Sequence, residues 1–122
     1  MAEQKIATSK VAGTWAWFFQ RLSAVLLIAF LGAHIYFDHF WHVGEAIDVN
    51  TVHARVRELV FIFVDYGLLS MVLFHGLNGT RTVMFDFDMF IKRKRLVDVT
   101  LWVVGIAMLV WGIIVLWPFI KG

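Results

Sequence analysis

The chain of 122 residues is 61% hydrophobic and 16% charged, with a formal net charge of +2 and a mean hydropathy of +0.78. A soluble globule of this size cannot hide so much apolar surface, so lipid must be the solvent for much of it, and an all-α integral membrane protein is expected. Cysteine is absent, which excludes disulfides and cysteine-ligated zinc or iron–sulfur centres from this chain, and the few basic residues read as topology signals rather than as a nucleic-acid footprint.

Residues 1–10 are polar, and the apolar run after them is too long for a signal peptide and lacks a small-residue cleavage site. One membrane domain over 1–122 is therefore expected. The first span is predicted at about 14–37. It opens with Trp15 and Trp17, passes Gln20, Arg21 and Ser23, and then runs apolar except for His34. A loop with Glu45, Asp48, Arg55, Arg57 and Glu58 leads to a second span at about 59–80, which carries Asp65 and His75. The third, at about 99–120, has no charge and no histidine; Trp102 and Trp117 suit its interfaces, and Pro118 is expected at its end. Each is long enough for the ~20 residues that cross a bilayer core. Spanning strands are disfavoured, because three cannot close a barrel and satisfy their backbone groups.

Positive charge sets the expected orientation. Lys5 and Lys10 precede the first span, and Arg81 with Lys92, Arg93, Lys94 and Arg95 lies between the second and third. The positive-inside rule then places the N-terminus in the cytoplasm and the C-terminus outside.

Helical rise separates the two histidines of the spans. His75 precedes Arg81 by six residues, or roughly 9 Å from the cytoplasmic end of its helix. His34 follows Arg21 by thirteen, or roughly 20 Å from that side. A titratable, metal-competent side chain at such depth is costly and usually functional, and imidazole is the common axial ligand of haem iron. The plainer reading is a hydrogen bond to a neighbouring helix. If both ligate iron, their different depths imply two haems, each completed by another subunit. Arg21 either snorkels to lipid phosphate or clamps a carboxylate such as a haem propionate. Gly76 and Gly79, about one turn apart, either mark close helix packing or a groove for a porphyrin edge. Asp86 is either a solvated loop residue or a group that orients a polar ligand head at the interface. Asp65 is expected to pair with Arg55 or Arg57 of another subunit, or with water.

Trp17-Phe18-Phe19-Gln20-Arg21-Leu22-Ser23, then His34, then His75-Gly76-Leu77-Asn78-Gly79-Thr80-Arg81-Thr82-Val83 with Asp86-Phe87, resemble the small hydrophobic anchor subunits of succinate dehydrogenase (complex II). The resemblance covers all three spans and is nearest the D-type anchor; the C type carries a serine where Trp17 stands. It implies a heterotetramer in the bacterial cytoplasmic (inner) membrane: a flavoprotein subunit with FAD, an iron–sulfur subunit with its clusters, and two membrane anchor subunits that bind haem b and quinone (ubiquinone or menaquinone). By position it makes His75 a haem-iron ligand and His34 the ligand of a second haem, with Arg21 and Gly79 beside haem b. Asp86, Ser23 and Trp17 belong to the implied quinone pocket. D-type anchors often follow that aspartate with a quinone-contacting tyrosine, and here Phe87 removes the hydroxyl. The Lys92–Arg95 run either docks the soluble subunits or anchors the chain near anionic lipid. Such a chain would not oxidise succinate alone. The alternatives are a haem-free structural subunit of another membrane complex and the anchor of a fumarate reductase.

Overall fold

In the computed structural model, residues 13–41 and 43–121 are described. They form helices joined by short turns and loops, with no strand among the described residues: α1 (Thr14–Ile35), which continues into a π-helical turn at Tyr36–Phe40, a short α2 (Val49–Val56), α3 (Leu59–Met84), a single turn α4 (Asp88–Ile91) and α5 (Lys94–Lys121). Three of these stretches, Thr14–Phe40, Leu59–Met84 and Lys94–Pro118, are long and apolar enough to cross a membrane. The all-α, three-span architecture is the one composition required.

The ends differ from expectation in an instructive way. α3 runs one turn past residue 80, and α5 starts five residues before residue 99. Both extensions carry charge that a linear reading assigns to a loop. Here Arg81 of α3 donates through Nε to Asp98 of α5 at 2.7 Å, and Lys94 donates to the other oxygen of Asp98 at 3.0 Å. One carboxylate holds a cation from each helix end, so the helices can extend into these charges. In the same stretch the Thr80 and Thr82 hydroxyls bond back to the carbonyls of Gly76 and Asn78. Pro118 lies in the last turn of α5.

α3 is the central element and packs against both α1 and α5. Close approach is bought with glycine. A Cβ at Gly67 of α3 would collide with the ring of Phe30 on α1, and one at Gly112 of α5 would lie 2.5 Å from Leu69 of α3. The chain buries little within itself: Phe61, Val64, Phe85 and Val97 form its small apolar core. Large apolar side chains such as Ile28, Phe63, Trp102 and Trp111 are exposed on the outer faces of all three long helices. Lipid or protein must cover them, because water cannot. The short α2 is held at its start by Asp48, whose carboxylate accepts from the Thr51 backbone N–H at 2.7 Å.

Candidate functional site

α1 and α3 run antiparallel, and their facing stripes carry the polar side chains of the interior at two levels. The first level lies near the end that carries Arg81 and Lys94. Ser23, the one buried polar residue among those described, faces His75, with Oγ 3.2 Å from Nδ1. The Ser23 hydroxyl also donates to the Gln20 carbonyl at 3.0 Å. A hydroxyl has one proton, so with that proton on Gln20 the serine offers a lone pair, and we assign Nδ1 as the protonated nitrogen of His75. Nε2 then keeps its lone pair and has no partner among the described residues.

A ladder of amides fixes this level. Gln20 Nε2 donates to the backbone carbonyl of His75 at 3.2 Å, Asn78 Nδ2 donates to Gln20 Oε1 at 2.7 Å, and the same Asn78 amide reaches the Ala16 carbonyl at 3.3 Å. Gly79 lets the helices close here, since a Cβ on it would stand 3.1 Å from Gln20 Nε2. Gly76 faces open space instead. Neither Gln20 nor Asn78 was singled out from sequence, although each sits one turn from Ser23 or His75, a spacing that puts them on one face.

Arg21 and Trp17 occupy a different face of α1. They are exposed, and the Arg21 guanidinium lies 4.4 Å from the centre of the Trp17 ring. Ser23 therefore turns toward α3 and His75, while Arg21 and Trp17 present a cation and an aromatic plane outward. Asp86 lies in the turn after α3, exposed, and its carboxylate has no partner among the described residues.

The second level lies further along α1. His34 Nδ1 is 2.9 Å from Asp65 of α3 and 2.7 Å from Asp38 one turn on, within the π-helical turn. All three side chains are partly exposed. Within the chain Asp65 meets His34, a partner not expected from sequence, and Arg55 meets Glu45 at 3.2 Å. Ser23 and His34 are eleven residues apart on α1, so the two levels are separated by ~16 Å of helical rise. One haem cannot take both histidines as axial ligands across that distance.

A cavity of about 290 Å³ opens between α3 and α5. Its walls are mostly apolar, with Asn78, Arg81 and Asp98 among its lining residues. Arg81, read from sequence only as a topology charge, is thus also a structural link between two helices.

Residues 3–116 match the family described as succinate dehydrogenase/fumarate reductase transmembrane subunit. The chain is 31% identical over 93 residues to the succinate dehydrogenase 2 membrane subunit SdhC of Mycobacterium tuberculosis, which covers 76% of this chain and 66% of that relative. It is also 31% identical over 98 residues to a succinate dehydrogenase hydrophobic membrane anchor subunit of Archaeoglobus fulgidus, covering 80% of this chain and 82% of the relative. For the Halobacterium salinarum subunit of the same description, identity is 29% over 75 residues, covering 62% of this chain and 58% of the relative. The chain thus spans just under two thirds or less of two of these relatives. No solved structure matches it.

Proposed function

Because the chain belongs to the family of succinate dehydrogenase/fumarate reductase transmembrane subunits, we propose that it is a membrane anchor subunit of succinate dehydrogenase. It holds the flavoprotein and iron–sulfur subunits at the cytoplasmic face of the membrane, pairs with a second anchor, and contributes to haem b binding and quinone reduction. Its own residues do not oxidise succinate. The observation that carries this reading is His75: Nδ1 is fixed by Ser23 inside the α1–α3 interface, which leaves Nε2 as a free donor in an apolar span.

The donor set suits a haem. An imidazole ligand is normally oriented by a hydrogen bond at its other nitrogen, and both His75 and His34 have one. Their Nε2 atoms would hold iron, with the opposite ligands on the second anchor. A bound haem supplies a one-electron carrier. The rest is the work of this chain. Ser23, itself held by Gln20, keeps the His75 ring from rotating. Arg21, exposed beside the same level of α1, is placed to pair with a propionate or with the quinone head. Trp17 offers a flat apolar wall next to that charge. Quinone reduction takes up protons with electrons, and Asp86 in its exposed turn can pass a proton from water to the interface. With Phe87 in place of a hydroxyl donor, the quinone carbonyl must be met by another group, and Arg21 is the donor on that side.

The positive-inside reading puts the N-terminus and the Arg81–Arg95 end in the cytoplasm, the side from which the iron–sulfur subunit delivers electrons. Reduced-minus-oxidised spectra of the purified complex test the haem assignment. His75→Ala should remove one b-type component, and an unchanged spectrum would overturn it. Quinone reductase activity tests the second half. Arg21→Ala and Asp86→Ala should each lower it, the latter by up to about 10²-fold as the loss of a proton donor allows, and normal kinetics in both would remove these residues from the site.

A further inference from the structure

We propose that Asp38 and Asp65 are positioning residues for His34, and that their carboxyl groups lower the midpoint potential of the haem at His34. The inference rests on the reading above that both histidines ligate iron. It concerns what stands behind each ligand rather than the ligands themselves.

The two rings are held in the same manner by different chemistry. At His75 the acceptor for Nδ1–H is the Ser23 hydroxyl at 3.2 Å, a neutral group. At His34 two carboxyl groups converge on the same nitrogen, Asp38 at 2.7 Å and Asp65 at 2.9 Å. A carboxylate draws the Nδ1 proton toward itself and makes the ring a stronger electron donor through Nε2. Stronger donation favours the ferric over the ferrous state. A nearby negative charge acts in the same direction, and it acts strongly where little water screens it. Hydrogen bonding behind an axial ligand is one of the few means a protein has of setting a haem potential.

The arrangement also has a cost that packing does not explain. Asp38 and Asp65 place two acidic groups against one imidazole within or beside membrane spans, where such groups are rare unless they serve a purpose. They come from different helices, and Asp38 is carried by the π-helical turn, an irregularity that recurs at functional sites. Holding α1 against α3 needs only one of them.

Potentiometric titration of the haems in the intact complex, read at their b-type bands, is the test. His34→Ala first identifies its haem; retention of every component in that variant would overturn the ligation reading itself. In Asp65→Asn and Asp38→Asn, the haem assigned to His34 should become easier to reduce. The reduced-to-oxidised ratio at fixed poise should rise about tenfold, or 59 mV for a one-electron couple. The double substitution should shift further, Asp65→Glu should restore the low potential, and the haem at His75 should stay in place. If one asparagine variant loses the haem, the shift in the other decides. Unchanged midpoints overturn the inference while leaving ligation intact.

Discussion

The two histidine levels of the α1–α3 interface are built on one plan and finished differently. In each, a histidine on one helix meets a polar group on the other, so the pair also ties the helices together. At the first level the histidine is on α3, and its surroundings are a serine hydroxyl and two side-chain amides, all neutral. At the second it is on α1, and its surroundings are two carboxyl groups. Neutral partners fix geometry with little electrostatic consequence. Acidic partners fix geometry and bias charge. In a low-dielectric interior the same hydrogen-bond plan can thus give two sites of different electronic character.

The interface between the levels is the place to break both at once. Gly67 lies on α3 between Asp65 and His75, and any side chain there meets the Phe30 ring. Gly67→Leu should force α1 from α3, with an overpacking cost of about 1–3 kcal/mol. Loss of both haem components together, measured spectroscopically after detergent purification, is the expected result; loss of one alone would mean that the levels are independently braced. Ser23→Ala comes next and touches one level only. It should loosen the His75 ring and weaken haem retention at that level while leaving the His34 component unaltered, and any shift in midpoint should be smaller than that of Asp65→Asn. Asn78→Ala removes a helix-to-helix link worth about 0.6 kcal/mol, which a melting curve of the complex should register as a small loss with both bands preserved.

Asp48 provides the smallest effect and a control remote from both levels. The Thr51 hydroxyl and backbone N–H bonded to its carboxylate hold its pKa below the usual 3.8. A group with a depressed folded-state pKa stabilises above its unfolded value and loses that contribution as pH falls through the folded one. The protection of the α2 amides, taken relative to their intrinsic exchange rate at each pH, should therefore be flat above about pH 4 and fall below it. In Asp48→Asn the acid-side change should vanish, with both haem bands untouched.

Much of this is legible in the sequence. The three spans follow from runs of apolar residues that have no other solvent, and the separation of His34 from His75 follows from helical rise alone. The register between α1 and α3 was not legible. Asp65 looked like an expensive charge awaiting an arginine elsewhere, because nothing in a linear sequence says that residue 65 will stand beside residue 34. Asp38 fell one residue beyond the predicted first span, and the π-helical turn that carries it has no clear sequence signal. The ends of α3 and α5 differ for a related reason: Arg81 and Lys94 read as loop charges, whereas across the helix pair both bind the one carboxylate of Asp98. Gln20 and Asn78 were visible as polar residues, but their partnership needs the same unseen register.

Asp38 and Asp65 also differ in when they become available to His34. Asp38 lies four residues on, so the two can meet as soon as α1 is helical and while the rest of the chain is still being made. Asp65 arrives only after the loop and α2 have been synthesised and α3 has been laid against α1. The nearer contact thus needs only a local helix, whereas the farther one needs the closed helical hairpin.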